Sequence, residues 1–552
     1  MPVRSTNQSS FFSPTFLDPG CVEVGGVPWL LWRQGTTLLP AWMASEWRGH
    51  VTTSRSAGRA AWPARALFAL HVLRWSEQGC SRLGACRRAR TDIAWRAAMG
   101  LEVGGHTPTE STMRDFEAWL RDRALCCDLP RYLVLHEHLV RIGLGLVKSA
   151  PLVAVDSTPM WCFGALRGTI RLLGDGLRGL GKRLARRTDL SLAELARRWS
   201  VPWLLSRSMK GGLTKVDWRS SEERSAATDG IVRTVLEAVR DAKKLIRDQV
   251  DERYQEWFVQ RCAAILQVIT DDLEEDDAGR LVVARRVARD RIVSITDPEA
   301  RSGRKTRSQP FKGFRLHVLG DVVSGLVLAV DVVAANTHDA LVGESLIGRA
   351  KELIPELDQV LADTAYGATS VRVRLALEGV DLVAPPQMPS KKSTDTLKKE
   401  DFMVDFERRV ATCPAGRESI ACEDAKAADD TVLQFRWSRS ACASCPLRAR
   451  CTPRTRAAGE PAPKRGRLSK VGKRLRLHPL EQALRAARAQ WKTPERRSLY
   501  RRRTEVELLI ANAVRAGGRQ ARAWGLQAAV LQAHSIAIHL NLAVIARELA
   551  QE

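Results

Sequence analysis

Three acidic residues stand in surroundings that give them chemical meaning. Pro151-Leu-Val-Ala-Val-Asp156-Ser-Thr158 is an apolar run closing on an aspartate, and Gln359-Val-Leu-Ala-Asp363-Thr-Ala-Tyr366-Gly367 repeats the pattern. Both predict buried strands that end in an aspartate. Near the C-terminus Tyr500, Arg503 and Glu507 are spaced Y-x2-R-x3-E. Steps of three and four predict one shared helix face. Two strand-end aspartates and a helical glutamate form a three-carboxylate set for divalent metal. Hard Mg2+ prefers oxygen ligands and keeps several waters, so two or three carboxylates suffice. Two such ions ~3.5–4 Å apart activate an oxygen nucleophile and stabilise a leaving oxygen, as phosphodiester chemistry requires. Ser157 and Thr158 are placed to hydrogen-bond around the site, Arg503 offers a fork for phosphate, and Tyr500 a hydroxyl donor. An aspartate closing a strand is also an ordinary turn cap. Asp321 and Asp331 therefore compete with Asp156 and Asp363, and Glu505 competes with Glu507 from off the Tyr500–Arg503 face.

The charge balance narrows the substrate. Lys and Arg number 87 against 62 Asp and Glu, a formal net charge of +25. Such an excess matches a polyanion, and phosphate contacts that release counterions make nucleic acid the leading candidate. An anionic membrane is the rival. No apolar run reaches the ~18 residues needed to span a bilayer. The stretch Met1 to Phe16 is polar and lacks the apolar core of a signal peptide. The expectation is a cytoplasmic protein that acts on DNA, with no membrane partner.

The carboxylates need elements to position them. At 552 residues the chain exceeds one compact core, so several domains are expected. Residues 1–60, broken by Pro, Gly and Ser, suggest a loose lead-in. Residues 61–145 carry a helical, basic pattern suited to holding duplex DNA, with Ser111 and Thr112 as caps for Met113–Asp122. After the Asp156 strand comes a helical insertion, about 165–290, including 221–250 and 253–271. Gly313–Asp321 and Leu326–Ala334 flank Ser324-Gly325 as a hairpin. A helix from His338 to Ala350, the Asp363 strand, a helix at Thr369–Leu377 and a short strand at Asp381–Ala384 follow. This order predicts a mixed α/β sheet with its first and fourth strands adjacent. Residues 146–386 plus 495–552 would form that domain, interrupted by a Cys-rich basic insertion at 387–494. Gly517-Gly518 separate the Glu507 helix from another spanning about Trp524 to Ala550.

Five of the twelve cysteines fall between Cys413 and Cys451. Cys442-x2-Cys445-x5-Cys451 with Cys413 supplies four thiolates for a tetrahedral structural Zn2+, with Cys422 as a spare ligand. Reduced structural cysteines or a redox pair are the alternatives. The basic run from Lys464 to Arg476 follows. Lys464, Arg465, Arg467, Lys470, Lys473 and Arg474 are expected along a DNA backbone, positioning it without reading its bases. A solvated loop is the alternative.

Together these motifs resemble the bacterial insertion-sequence transposases of the DDE type, in the group with a Tyr-x2-Arg-x3-Glu signature. The resemblance is carried by Val155-Asp156-Ser157-Thr158, by Asp363-Thr364-Ala365-Tyr366-Gly367, and by Tyr500, Arg503 and Glu507. Asp297-Pro-Glu-Ala-Arg301, Lys312-Gly313-Phe314 and Asn541-Leu542-Ala543 support it. Asp92-Ile-Ala-Trp95 and Ser111-Thr-Met-Arg-Asp-Phe116 look like the helical domain preceding the core in that group, so the likeness spans roughly 60–550. It implies an RNase H-like α/β core with Asp156 on the first strand, Asp363 on the fourth and Glu507 on a later helix. These three would be catalytic ligands of two Mg2+ or Mn2+ ions. It further implies a cytoplasmic, nucleoid-associated enzyme that cuts the terminal inverted repeats of its element and joins them to target DNA. Double-stranded DNA would be its partner, and it would act as a homodimer in the DNA complex. Some relatives place a lysine seven residues after the glutamate; here Val514 stands there, followed by Arg515. A non-catalytic DNA-binding derivative of such an enzyme, or a metal-dependent nuclease that cuts without joining, fits the same residues.

Overall fold

The structure, a computed structural model, describes residues 22–54, 61–76, 78–102, 104–206, 213, 216–246, 252–286, 288–306, 308–388, 396–427, 430–452 and 472–551. The chain forms two compact units, residues 1–356 with 504–552 and residues 357–503.

The first unit carries β1 (Val153–Trp161), the small hairpin β2 (Leu273–Glu275) and β3 (Leu281–Val283), then β4 (Arg301–Thr306), β5 (Gln309–Asp321) and β6 (Val327–Ala334). β5 is the spine. Along one edge it pairs antiparallel with the whole of β1, from Val153 opposite Asp321 to Trp161 opposite Gly313. Its other edge is shared by β4 and β6. Phe314, Leu316, Val318 and Leu319 are buried, and a backbone so enclosed must be paired on both sides. Gly313 is required where β1 leaves the ladder. Its φ is +147°, and a Cβ there would lie 2.4 Å from the Met160 carbonyl oxygen. The expected hairpin is present, and Asp321 is its cap. The Asp321 carboxylate accepts from the backbone N–H groups of Leu152, Val323 and Ser324 and from the Ser324 hydroxyl. Its lone pairs are thus committed to the turn, which removes it as a rival to Asp156.

β1 differs from its expected form. It does not end at Asp156 but runs on to Trp161, leaving Asp156 mid-strand opposite Val318. The extra length follows from β5, which offers paired backbone as far as Gly313.

The stretch expected as a loose lead-in holds two helices, Val27–Gln34 and Ala41–Ser54. Leu30, Leu31, Met43 and Trp47 are buried in the helical core. Pro28 sits in the first turn, where a missing N–H costs nothing, so it starts a helix rather than breaking one. Further on, Thr109 rather than Ser111 or Thr112 caps the Glu110–Arg121 helix, accepting from the Thr112 N–H. That helix places Glu117 in the interior, where Arg74 and Arg82 neutralise it.

The C-terminal helix, Leu526–Gln551, has the length and composition of a membrane span, although no run of that size was expected. Its most apolar window is 72% buried, and Leu531, Ile538, Leu542 and Ile545 join the N-terminal helical core. It is a core helix. Asn541, fully buried, works within it like a strand residue: its amide nitrogen donates to the Val327 carbonyl (2.9 Å) and its oxygen accepts from the Val327 N–H (2.8 Å). A separate hydrophobic core buries Leu172, Leu177, Val235, Phe258 and Ile265 from the helices Thr169–Leu184, Ser221–Leu245 and Glu252–Asp272, in the stretch expected as a helical insertion.

The second unit begins with β7 (Gln359–Ala362) and β8 (Asp381–Val383), a parallel pair connected by the Thr369–Leu377 helix. The described part of the Cys-rich segment that follows carries regular secondary structure. It contains the hairpin β9 (Met403–Asp405) and β10 (Val410–Thr412), then an antiparallel sheet of β11 (Ala421–Ala427), β12 (Asp430–Arg436) and β13 (Arg474–Leu477). Phe402, Ala411, Phe435, Trp437, Leu475 and Leu477 form its core. In β13 the leucines are buried and Arg474 and Arg476 are exposed, so the end of the basic run is a strand, not a loop. The described strands are thus mixed, antiparallel in the first unit and with a parallel pair in the second. Such an α/β chain is compatible with an RNase H-like core.

Replacing Asn541 by Ala removes the acceptor from the buried Val327 N–H, while the Val327 carbonyl keeps His136 Nε2 at 3.0 Å. The expected loss is about 1–3 kcal/mol of stability, read from the urea midpoint.

Candidate active site

Asp156 is half-buried, and its Oδ1 accepts from the Ser157 N–H at 2.7 Å. The strand beneath it is held at its far end. Trp161 donates its N–H to the Arg519 carbonyl and accepts from the Ala521 N–H, at 2.9 and 2.8 Å. Arg519 Nη1 also donates to the hydroxyl of buried Thr158 at 2.9 Å. The residues following the Glu507 helix are thereby stitched to the strand that carries Asp156. Ser157 donates weakly to Asp339, whose carboxylate is gripped by Arg315 Nη1 at 2.6 and 2.7 Å. Asp339 is an acid the motif reading passed over. Its signal was His338-Asp339 at the start of a helix, where His338 is the cap. Its pairing with Arg315 makes it a support for the strands rather than an open ligand.

Glu507 stands on the Val506–Ala513 helix, which packs on β1 and β5 within the first unit. Val506, Leu509 and Ala513 face inward, and Glu507 is exposed. The helix then ends in a π-turn at Val514–Gly518, where Gly517 takes φ +106° against the Gln78 carbonyl. The first unit therefore brings Asp156 and Glu507 onto elements that touch.

Tyr500, Arg503 and Glu507 do not lie along one uninterrupted helix. Tyr500 belongs to the Pro494–Arg501 helix, Arg503 to a 3-10 turn at Arg502–Glu505, and Glu507 to the next helix. The tighter turn advances about 120° per residue instead of about 100°, which shifts the phase. Arg503 lies 5.8 Å from the Tyr500 ring centroid, and Trp491 meets that ring edge-on at 4.8 Å.

Asp363 is carried by the second unit, immediately after β7 as expected. Its Oδ1 accepts from the Ala365 N–H at 2.8 Å, which turns the chain. Tyr366 is buried, and Gly367 is needed because a Cβ would lie 2.8 Å from the Pro385 carbonyl. The Asp-Thr-Ala-Tyr-Gly motif is thus a turn, an anchor and a close approach.

Asp331 remains half-buried on β6, its carboxyl pushed up by burial and partly held down by the Val332 N–H and Arg349. Of the basic run, Lys464, Arg465, Arg467 and Lys470 lie outside the described residues. Lys473 is engaged internally. Its Nζ donates to the Cys451 carbonyl at 2.8 Å and its backbone N–H to Cys442 Sγ at 3.4 Å. Arg474 is exposed. Cys413, Cys442, Cys445 and Cys451 line one small cavity of about 30 Å3. Burial pushes the Cys451 thiol up, against the pull of Lys473, and the other three thiols add to the rise. Cys422 pairs with Phe435 on the neighbouring strand. Among the described residues, no group of three or more His, Cys, Asp or Glu is drawn tightly enough to hold a metal as it stands.

Asp156 stands on a strand against which the helix of Glu507 packs, an arrangement compatible with a DNA-processing enzyme. The comparisons agree. Residues 412–546 match the family described as Transposase DDE domain, and residues 31–118 match a second, described as Transposase domain (DUF772). Both support one identification: an insertion-sequence transposase of the DDE type. The first match contains Tyr500, Arg503, Glu507 and the clustered cysteines; Asp156 and Asp363 fall outside both. The second begins inside the stretch that sequence reading treated as lead-in. No curated protein and no solved structure matches the chain.

His317 pairs across from Ser157 and is fully buried. Burial, with Arg315 adding to it, pushes its imidazole down to about 3, and burial pushes His136 and His539 to about 4. In the unfolded chain these rings titrate near 6.5. The unfolded state therefore takes up protons first as the pH falls. The stability they contribute is complete above about 6.5 and drains away toward about 3. The urea midpoint is expected to hold steady from about pH 8 to 7 and to drop steadily below about 6.5; a flat profile to about pH 5 would contradict these assignments.

Proposed function

We propose that Asp156, Asp363 and Glu507 are the catalytic carboxylates of a transposase that binds the terminal inverted repeats of an insertion sequence. It cuts at the element ends and joins them to target DNA. The observation that carries this reading is the packing of the Glu507 helix on the Asp156 strand within one unit, in a chain with transposase matches at both ends. The donors fit Mg2+ or Mn2+. Asp156 and Asp363 are half-buried and Glu507 exposed, and all three offer hard oxygens. Two bound ions would activate the attacking oxygen and stabilise the leaving one.

The chain's own residues do the positioning. Asp156 is fixed by a strand paired along its length and tied at Trp161, so its carboxylate needs little reorganisation. Tyr500 and the Arg503 stacked beside it are placed to take a phosphate, the arginine as a fork and the phenol as a single donor. Arg474, together with Lys464, Arg465, Arg467 and Lys470, would follow the backbone of double-stranded DNA. Lys473 has its ammonium engaged at Cys451 and contributes by holding the fold. Two element ends must be cut together, so a homodimer is the working form on DNA.

The four cysteines are offered as the ligands of a structural Zn2+ that would draw them closer on binding. They are soft thiol donors on one cavity, and the Lys473 N–H already points at Cys442 Sγ in the manner of an outer-shell partner. Elemental analysis is expected to find about one zinc per chain. Cys442→Ser with Cys445→Ser should release it and lower the urea midpoint.

The catalytic claim is tested on the element's own end sequence with Mg2+. Asp363→Ala and Glu507→Gln should each bind the ends and cut at least about 100-fold more slowly. Wild type that binds and never cuts with Mg2+ or Mn2+ makes the chain a DNA-binding derivative. Cutting without strand-transfer products makes it a nuclease.

A further inference from the structure

Beside the helical insertion lies an open cavity of about 830 Å3 that the carboxylates do not use. Its walls include Arg183, Trp257, Arg261, Glu299 and Trp524. The arginines lie over an aromatic ring: exposed Arg183 is 4.2 Å and half-buried Arg261, whose Nη1 also donates to the Ile295 carbonyl, 5.6 Å from the Trp257 centroid. At the rim Trp524 is 62% exposed, and it meets Phe163, itself 47% exposed, edge-on at 5.4 Å. Two large aromatic side chains presented to water side by side are a costly arrangement for the fold alone. The acid in the wall is already occupied. Glu299 accepts from the Leu526 N–H at 2.7 Å, and neighbouring Asp297 from the Gly525 N–H at 3.0 Å, together capping the start of the C-terminal helix. What remains open is flat apolar surface next to guanidinium charge.

That combination suits an anionic chain with exposed ring faces. Duplex DNA hides its base faces in the stack and shows only phosphates and groove edges. An unpaired strand shows both, and stacking on aromatic side chains is tolerant of sequence. Location agrees. Phe163 lies just beyond Trp161, where the Asp156 strand ends, and five residues of strand place Trp161 about 17 Å from Asp156. We propose that this groove holds a short unpaired stretch of DNA, its bases stacked on Trp524 and Phe163 and its phosphates facing Arg183 and Arg261. The proposal rests on the transposase reading above and adds to it a single-stranded subsite.

The test is fluorescence anisotropy with the full chain, using a labelled oligothymidylate of about a dozen nucleotides and a duplex of equal length. Trp524→Ala should weaken oligothymidylate binding at least about fivefold and leave duplex binding unchanged. Trp524→Phe should restore most of it. Oligothymidylate binding that is unaltered in Trp524→Ala overturns the proposal, as does wild type that binds the duplex but not the single strand. A failure of the carboxylate assignment shows in the cleavage assay and not in this binding assay, which requires no cutting.

Discussion

The first unit depends on one constraint: β5 is long and buried, and neither of its edges can be left unpaired. β1 satisfies one edge over its full length, and β4 and β6 divide the other. Satisfying that backbone sets the position of Asp156, since a strand paired on either side of a residue cannot slide without flipping every side chain. The C-terminal region answers to the same sheet. Asn541 completes the hydrogen bonds of Val327 on β6, and Arg519 and Ala521 bond the end of β1. The Glu507 helix precedes both attachments in the chain and packs on β1 and β5, so its placement is tied to the same strands.

Positive charge serves two purposes that composition alone does not separate. Several arginines are structural. Arg74 and Arg82 neutralise buried Glu117, Arg131 pairs with Glu46, and Arg315 grips Asp339. Arg372 donates to the carbonyls of Gly367, Leu382 and Ala384 and so supports the turn after Asp363. Others, such as Arg474 on its strand, face outward. A net charge of +25 therefore overstates the exposed positive surface, and the directions of individual side chains decide where that surface is.

Elements whose signals are local were legible in the sequence. The hairpin around Ser324-Gly325, the long helices of the insertion, the break at Gly517 and the strand before Asp363 stand where apolar pattern and turn residues put them. Features that depend on distant partners were not. β1 outlasts Asp156 because of what β5 offers, which no pattern within 151–158 records. Arg503 lies in a 3-10 turn between two helices, a break that helical spacing did not show. Pro28 looked like a breaker and is a helix starter. The strand at the end of the Lys464–Arg476 run was missed because the alternation of arginine and leucine is confined to the four residues of β13. The motif at Asp297 was noticed without a reason, and its reason is a helix start more than two hundred residues away.

The central claim is that Asp156, Asp363 and Glu507 share one pair of metal ions. It is tested most directly by replacing Mg2+ with Fe2+ in the DNA-bound protein and mapping where hydroxyl radicals cut the polypeptide. A shared site predicts scission at three places at once, around residues 156, 363 and 507, and its loss at all three in Glu507→Gln. Cuts confined to one of these segments, or a pattern that survives Glu507→Gln, would show that the three carboxylates do not hold metal together.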